Sequence, residues 1–253
     1  GLRITPINWH LTAEEVCYIV ENCEAKVVLC DAIFSDFFEE ISKNLPDVIL
    51  MSVDGEHPLA MPFLETIQEY DGADVETPEP GRSMLYTSGT TGRPKGVFRK
   101  ENPPPSKTEQ FTLDTASFDP ANDFSICPGP AYHAAPLGLN INISLMAGVG
   151  VYLMDKWDAE KMLSLISEYK CTHTHMVATM FHRVLRLPEE IRSKYDLSSM
   201  RWILHGAAPC PVEVKKAMID WMGPIVYEYY AATEGGGCFI QPEEWLNKPG
   251  SVG

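Results

Sequence analysis

Apolar positions recur along the chain with two spacings, one near 3.6 residues and one near two. Thr12-Ala13-Glu14-Glu15 reads as a capping box opening a helix that carries Val16, Ile19 and Val20 on one side. Residues 26–30 (KVVLC) read as a buried strand, 35–44 as a helix and 48–53 (VILMSV) as the next strand. Residues 71–82 are rich in acid, Pro and Gly and read as an exposed linker, after which a strand enters at 83–86. Further on, 137–147 predicts a helix and 149–154 a strand. Asp158 caps a helix running to Tyr169, with Met162, Leu165 and Ile166 inward. Strands at 172–177, 201–204 and 225–229 alternate with helices at 178–187 and 212–221. This order predicts an α/β fold of layered βαβ units with mainly parallel sheets, in lobes of about 1–80 and 81–253. Residues 101–110, with three consecutive prolines, read as a polar surface loop.

Composition narrows the function. Of 253 residues, 45% are hydrophobic and 22% charged, which suits a globular chain with a sizeable core. Twenty basic against 35 acidic residues give a net charge of −15, which argues against a nucleic-acid partner. A small anionic substrate is still admissible, because a local cluster of donors can act against the global field. Seven cysteines are scattered with no CxxC pair; they read as small buried residues in a reducing cytoplasm rather than as a zinc site or a disulfide framework. No apolar run reaches 18 residues, so no membrane-spanning helix is expected, while peripheral membrane contact and oligomeric state stay open. The chain opens on Gly1 and closes on Pro249-Gly250-Ser251-Val252-Gly253, and both ends read as cuts in a longer protein.

The densest chemistry lies in Thr87-Ser88-Gly89-Thr90-Thr91-Gly92-Arg93-Pro94-Lys95-Gly96, directly after an apolar strand. Glycines let the backbone turn tightly and present its N–H groups. The hydroxyls can donate to phosphate oxygens, Lys95 adds a mobile point charge and Arg93 a forked one. The spacing is neither that of a Walker loop nor that of a dinucleotide fingerprint. A generic Gly/Ser/Thr stretch is more often a hydrophilic hairpin, but this density of hydroxyls with a placed lysine suits a polyphosphate.

The string at 87–96 resembles the phosphate loop of the adenylate-forming superfamily, which includes acyl-CoA synthetases, adenylation domains and firefly luciferase. Tyr229-Tyr230-Ala231-Ala232-Thr233-Glu234-Gly235 resembles its aromatic-Gly-x-Thr-Glu motif, with Ala231 where the family usually has Gly. Gly206-Ala207-Ala208-Pro209 resembles its Gly-Ala-x-Pro turn, and Lys248-Pro249-Gly250-Ser251-Val252-Gly253 its Lys-Pro-Gly-Ser-x-Gly segment. Read alone, the Thr-Glu pair is a common helix start and the Gly206 turn an ordinary strand-to-helix turn. The order of the motifs is what makes the case.

The resemblance implies roles. Thr87, Ser88, Gly89, Thr90, Thr91, Gly92 and Lys95 would hold the β and γ phosphates of ATP. Tyr230 would pack on adenine, Thr233 would bond the α-phosphate, and Glu234 would help hold Mg²⁺. Gly206, Ala207, Ala208 and Pro209 would line the adenine and the acyl tunnel, and His133 would orient the reacting carboxylate. Read alone, His133 is more often a packed polar residue than a functional one, and only the order of the motifs brings the two readings level. His173 and His175 alternate on one strand face without a third ligand, and His205 adjoins the Gly206 turn. The implied chain is part of the large N-terminal domain, without the small C-terminal domain and its lysine. The implied reaction activates a fatty or other apolar carboxylic acid with ATP and passes it to coenzyme A, and the fragment alone is expected not to complete it. Loading of a carrier protein and nucleotide binding without turnover are the rival readings.

Overall fold

In a computed structural model, which describes every residue except 74–75, 88–92, 99–106 and 233–234, the capping box at Thr12 is formed. Its hydroxyl accepts from Glu15 N while the Glu15 carboxylate accepts from Thr12 N at 2.9 Å. The chain divides into two units, Gly1–Lys100 and Glu101–Gly253.

The first unit runs β1 (Arg3–Ile4), α1 (Ala13–Asn22), β2 (Val27–Cys30), α2 (Ser35–Asn44), β3 (Ile49–Ser52), β4 (Met61–Pro62), α3 (Phe63–Ile67), β5 (Arg82–Ser83), β6 (Leu85–Thr87) and β7 (Lys95–Val97). Strands β2, β3 and β4 form a parallel sheet in that order. Val16, Cys17 and Val20 of α1 and Phe38 and Ile41 of α2 cluster with Leu50 against one face of it. The expectation of a buried strand at 26–30 is corrected: Val27 is 44% and Leu29 53% exposed. A strand has a two-residue period, so covering one face leaves alternate apolar residues on the other. The single strand expected at 83–86 is also corrected. It breaks at Met84 into β5, which pairs parallel with β1, and β6, which pairs antiparallel with β7.

The second unit runs α4 (Lys107–Ala116), β8 (Phe124–Cys127), α5 (Ala134–Pro136), a π-helical stretch (Leu137–Asn142), α6 (Ile143–Met146), β9 (Gly150–Leu153), α7 (Ala159–Tyr169), β10 (His173–Met176), α8 (Ala178–Leu185), α9 (Glu189–Arg192), β11 (Trp202–His205), α10 (Val212–Met222), β12 (Val226–Ala232), β13 (Gly235–Ile240) and α11 (Pro242–Asn247). Asp158 caps α7 as expected, accepting from Lys161 N at 2.8 Å. The six-stranded sheet has the order β13-β12-β11-β10-β8-β9 and is parallel except for the β12–β13 pair. The polar loop expected at 101–110 is corrected over its described part, where Lys107 opens α4 and Thr108, Thr112 and Ala116 are buried. Polar residues spaced four apart escape a search for apolar periodicity, although Thr112 satisfies its own hydroxyl on the Thr108 carbonyl at 2.9 Å.

Strands β10 and β11 are buried along their whole length, as parallel strands covered on both faces must be. Four polar residues of this central pair are therefore in the core, and three have partners. His173 Nε2 donates to the Ala116 carbonyl at 2.7 Å, Thr174 Oγ1 donates to the Ile126 carbonyl at 2.8 Å, and His175 Nε2 lies 3.1 Å from the Tyr229 hydroxyl. The fourth, His205, has no hydrogen-bond partner at either ring nitrogen. Among the described residues, no helix is long and apolar enough to cross a membrane.

Candidate active site

In a parallel sheet every strand ends on the same side, and ligands bind outside those carboxyl ends where successive connections diverge. Here the chain leaves β8 to lay β9 on one side and later returns to lay β10 on the other, so the divergence falls between β8 and β10. His133 follows β8, the 206–209 turn follows β11, and Tyr230 lies in the last part of β12. The fold thus places three of the expected features along one carboxyl edge. The carboxyl end of β10, with His175 and Met176, lies on that edge too and carries no recognisable motif. Only the strand order reveals it.

The 206–209 turn is shaped by two backbone facts. Gly206 sits where a Cβ would come 2.5 Å from the Tyr229 ring, so no side chain fits. Ala207 has φ +66°, a conformation that L-residues with a Cβ rarely adopt. Such strain persists only where the surroundings over-determine it, and it gathers at ligand clamps. Burial pushes the Tyr229 hydroxyl well above its ordinary value, so it stays a neutral partner for His175.

Tyr230 is 69% exposed, while its backbone is paired with Cys238. The register shifts between Tyr230 and Ala232. Ala231, which stands where the resemblance would have glycine, packs against the core cluster that includes Leu204 and Tyr229. Gly237, at φ +152°, lies close to it: a Cβ there would come 3.1 Å from the Tyr230 carbonyl oxygen, 3.2 Å from Thr108 Oγ1 and 3.3 Å from the Ala231 methyl. Thr233 and Glu234, the proposed α-phosphate and metal residues, lie outside the described residues.

His133 is exposed, with extended backbone at the start of α5 and its ring edge-on to Tyr132 at 4.8 Å. Partial desolvation pulls its imidazole below the ordinary value, which favours the neutral form at pH 7.

The glycine-rich loop belongs to the first unit. Ser88, Gly89, Thr90, Thr91 and Gly92 lie outside the described residues, but the base of the loop is described. It is the β6–β7 hairpin, in which Thr87 pairs with Lys95 and Tyr86 with Gly96. Lys95 is exposed. Side chains of α1 hold the hairpin: Tyr86 Oη donates to Asn22 Oδ1 at 2.5 Å, Tyr18 Oη donates to the Pro94 carbonyl at 3.4 Å, and the Arg93 guanidinium lies 5.3 Å over the Tyr18 ring. Burial pushes the Tyr86 hydroxyl up to about 12, so it remains a donor. Nothing in the motif string points to Tyr18 or Asn22. They come from a helix more than 60 residues away, and only the tertiary contacts show them.

The model of the AMP-binding enzyme family matches residues 1–253. The chain is 30% identical over its whole length to a long-chain-fatty-acid–CoA ligase, FadD13, of Mycobacterium tuberculosis, covering 50% of that protein. It is 29% identical over 93% of its length to the 4-coumarate–CoA ligase CCL1 of Humulus lupulus, covering 44% of it. The chain spans about half the length of the curated relatives it matches. Among solved structures it superposes on the N-terminal domain of FACL13 from Mycobacterium tuberculosis with a TM-score of 0.81 at 26% identity, covering 99% of this chain and 62% of that one. It superposes on ATP-bound MatB from Rhodopseudomonas palustris with a TM-score of 0.74 at 27% identity, covering 98% and 48%.

Proposed function

The chain belongs to the AMP-binding enzyme family, and from that premise we propose that it carries most of a site that activates a carboxylic acid with ATP and passes it to coenzyme A. The observation that supports this most is the shared carboxyl edge: His133, the 206–209 turn and Tyr230 end up along one side of one parallel sheet.

In this proposal an oxygen of the substrate carboxylate attacks the α-phosphorus of ATP. The bond to the β-phosphate breaks, giving an acyl-adenylate and pyrophosphate. A thiolate then attacks the acyl carbon, and AMP leaves. Such chemistry is accelerated chiefly by positioning and by neutralising charge. Tyr230 supplies a face for adenine, and the 206–209 backbone a tight wall made possible by Gly206. His133, whose imidazole is pulled towards the neutral form, orients the carboxylate without pairing with it so tightly that it loses nucleophilicity. Lys95 with Thr87, Ser88, Gly89, Thr90, Thr91 and Gly92 takes the β and γ phosphates. Thr233 takes the α-phosphate. A carboxylate such as Glu234 suits Mg²⁺, which when bound offsets charge on the phosphates.

The acid is proposed to be fatty or aromatic. The chain's relatives include a long-chain-fatty-acid ligase and a coumarate ligase, and the π-helical stretch after His133 is largely apolar. A cytoplasmic setting, expected from the scattered cysteines, belongs to the same proposal.

Calorimetric titration of the chain with MgATP tests the reading. Binding is expected, and Lys95→Ala should weaken it by about tenfold, the order lost with one charge-assisted contact. Pyrophosphate exchange stimulated by a panel of fatty and aromatic acids then separates catalysis from mere binding. A wild-type chain that ignores MgATP would overturn the reading.

A further inference from the structure

Three titratable side chains lie deep in the second unit, two on the motif-bearing strands β11 and β12 and one on α10. Lys215 and His205 are 0% exposed and Glu228 5%. Lys215 Nζ donates to Glu228 Oε2 at 2.8 Å and lies 4.8 Å over the Trp245 ring. His205 Nε2 is 3.4 Å from the same carboxylate oxygen, without hydrogen-bond geometry. Burial pulls His205 and Lys215 below their ordinary values. Burial also pushes Glu228 up, but the favourable contacts around it, with the Lys215 ammonium donating to it, outweigh that and hold the carboxyl below its ordinary value, so it is ionised at neutral pH.

A buried ion pair is a poor source of stability, because removing both charges from water offsets most of their attraction, and an apolar pair of similar volume often does as well. What the pair adds is direction. His205 is the last residue of β11 and Gly206 follows it. Lys215 stands in the first turn of α10, on the far side of the same turn. Glu228 is in register with His205 and precedes Tyr230 by two residues on β12. One carboxylate oxygen of β12, the strand that presents Tyr230, therefore meets the residue before the 206–209 turn and the first turn of the helix that follows it. Trp245 of α11 closes the cluster from outside.

We propose that Lys215 and Glu228, with His205, are positioning residues that set the 206–209 turn and Tyr230 at one fixed spacing for an adenine nucleotide. This inference rests on the proposed adenylating function. The test compares the wild-type chain with Lys215→Met/Glu228→Leu, which removes both charges at similar volume. The double variant should keep a thermal midpoint near wild type yet bind MgATP about tenfold more weakly, as a loosened site does. In hydrogen exchange without nucleotide, the amides of Gly206, Ala207, Ala208, Tyr230, Ala231 and Ala232 should exchange faster, while β8 and β10 are unchanged. A double variant with unchanged amide exchange at those six positions would overturn the proposal, and so would one that binds MgATP as wild type does. If the wild-type chain binds no MgATP, the functional reading falls, and the exchange result still decides the positioning role. Should the double variant not fold, Lys215→Met/Glu228→Gln, which keeps an amide facing His205, is read in the same way.

Discussion

Ala207 and Gly206 show how much a single position can carry. Gly206 is required by the Tyr229 ring, and Ala207 holds a left-handed backbone despite its methyl group. The buried histidines carry a different burden. His173, His175 and His205 are all pulled below their ordinary value of 6.5, first by burial, and His175 falls to about 3. A histidine neutral in the fold but free to protonate in the unfolded chain takes up a proton on unfolding below pH 6.5. Each therefore withdraws stability as pH falls from 6.5 towards its folded value, at up to about 1.4 kcal/mol per pH unit. The thermal midpoint should drop steeply between pH 6.5 and pH 5, and His175→Gln should make that drop shallower. A pH-independent midpoint across this range would contradict the burial of these rings.

At the scale of elements, the site depends on segments that approach it from distant parts of the chain. The expected helix at 137–147 is present but irregular, beginning as α5 and passing through a π-helical stretch. Asn140 fastens that stretch to β8, donating to the Ile126 carbonyl at 3.0 Å and accepting from Ser125 Oγ at 3.0 Å. The residue is buried, so removing its amide takes away two buried hydrogen bonds. Asn140→Ala should cost about 1–3 kcal/mol in urea denaturation. Because the stretch follows His133, the same change should also shift the titration of His133, read by NMR. Wild-type stability in this variant would mean that the stretch is held by its apolar contacts alone.

The whole molecule combines a net charge of −15 with an apolar sheet face left open in the first unit. Val27, Leu29, Ile49 and Met61 are each at least 44% exposed on the β2-β3-β4 sheet. At neutral pH the net negative charge opposes the approach of one copy of the chain to another. Near the isoelectric point, about 4.8, that repulsion vanishes and the face becomes adhesive. Leu29→Lys should lower light scattering at pH 5 while changing stability by less than about 0.5 kcal/mol. Equal scattering by variant and wild type would show that this face does not drive association. The sequence by itself determined the α/β class, the Thr12 and Asp158 caps, most helix and strand positions and the family motifs. All of these are written in short windows, where backbone preference and side-chain period act locally. Only the tertiary structure decided which strands are covered on both faces, that 107–110 is helix, that Tyr18 and Asn22 hold the glycine-rich hairpin, and that Lys215 and Glu228 meet beside His205. Those outcomes depend on strand order and on partners tens of residues apart, and neither leaves a periodic trace in the chain.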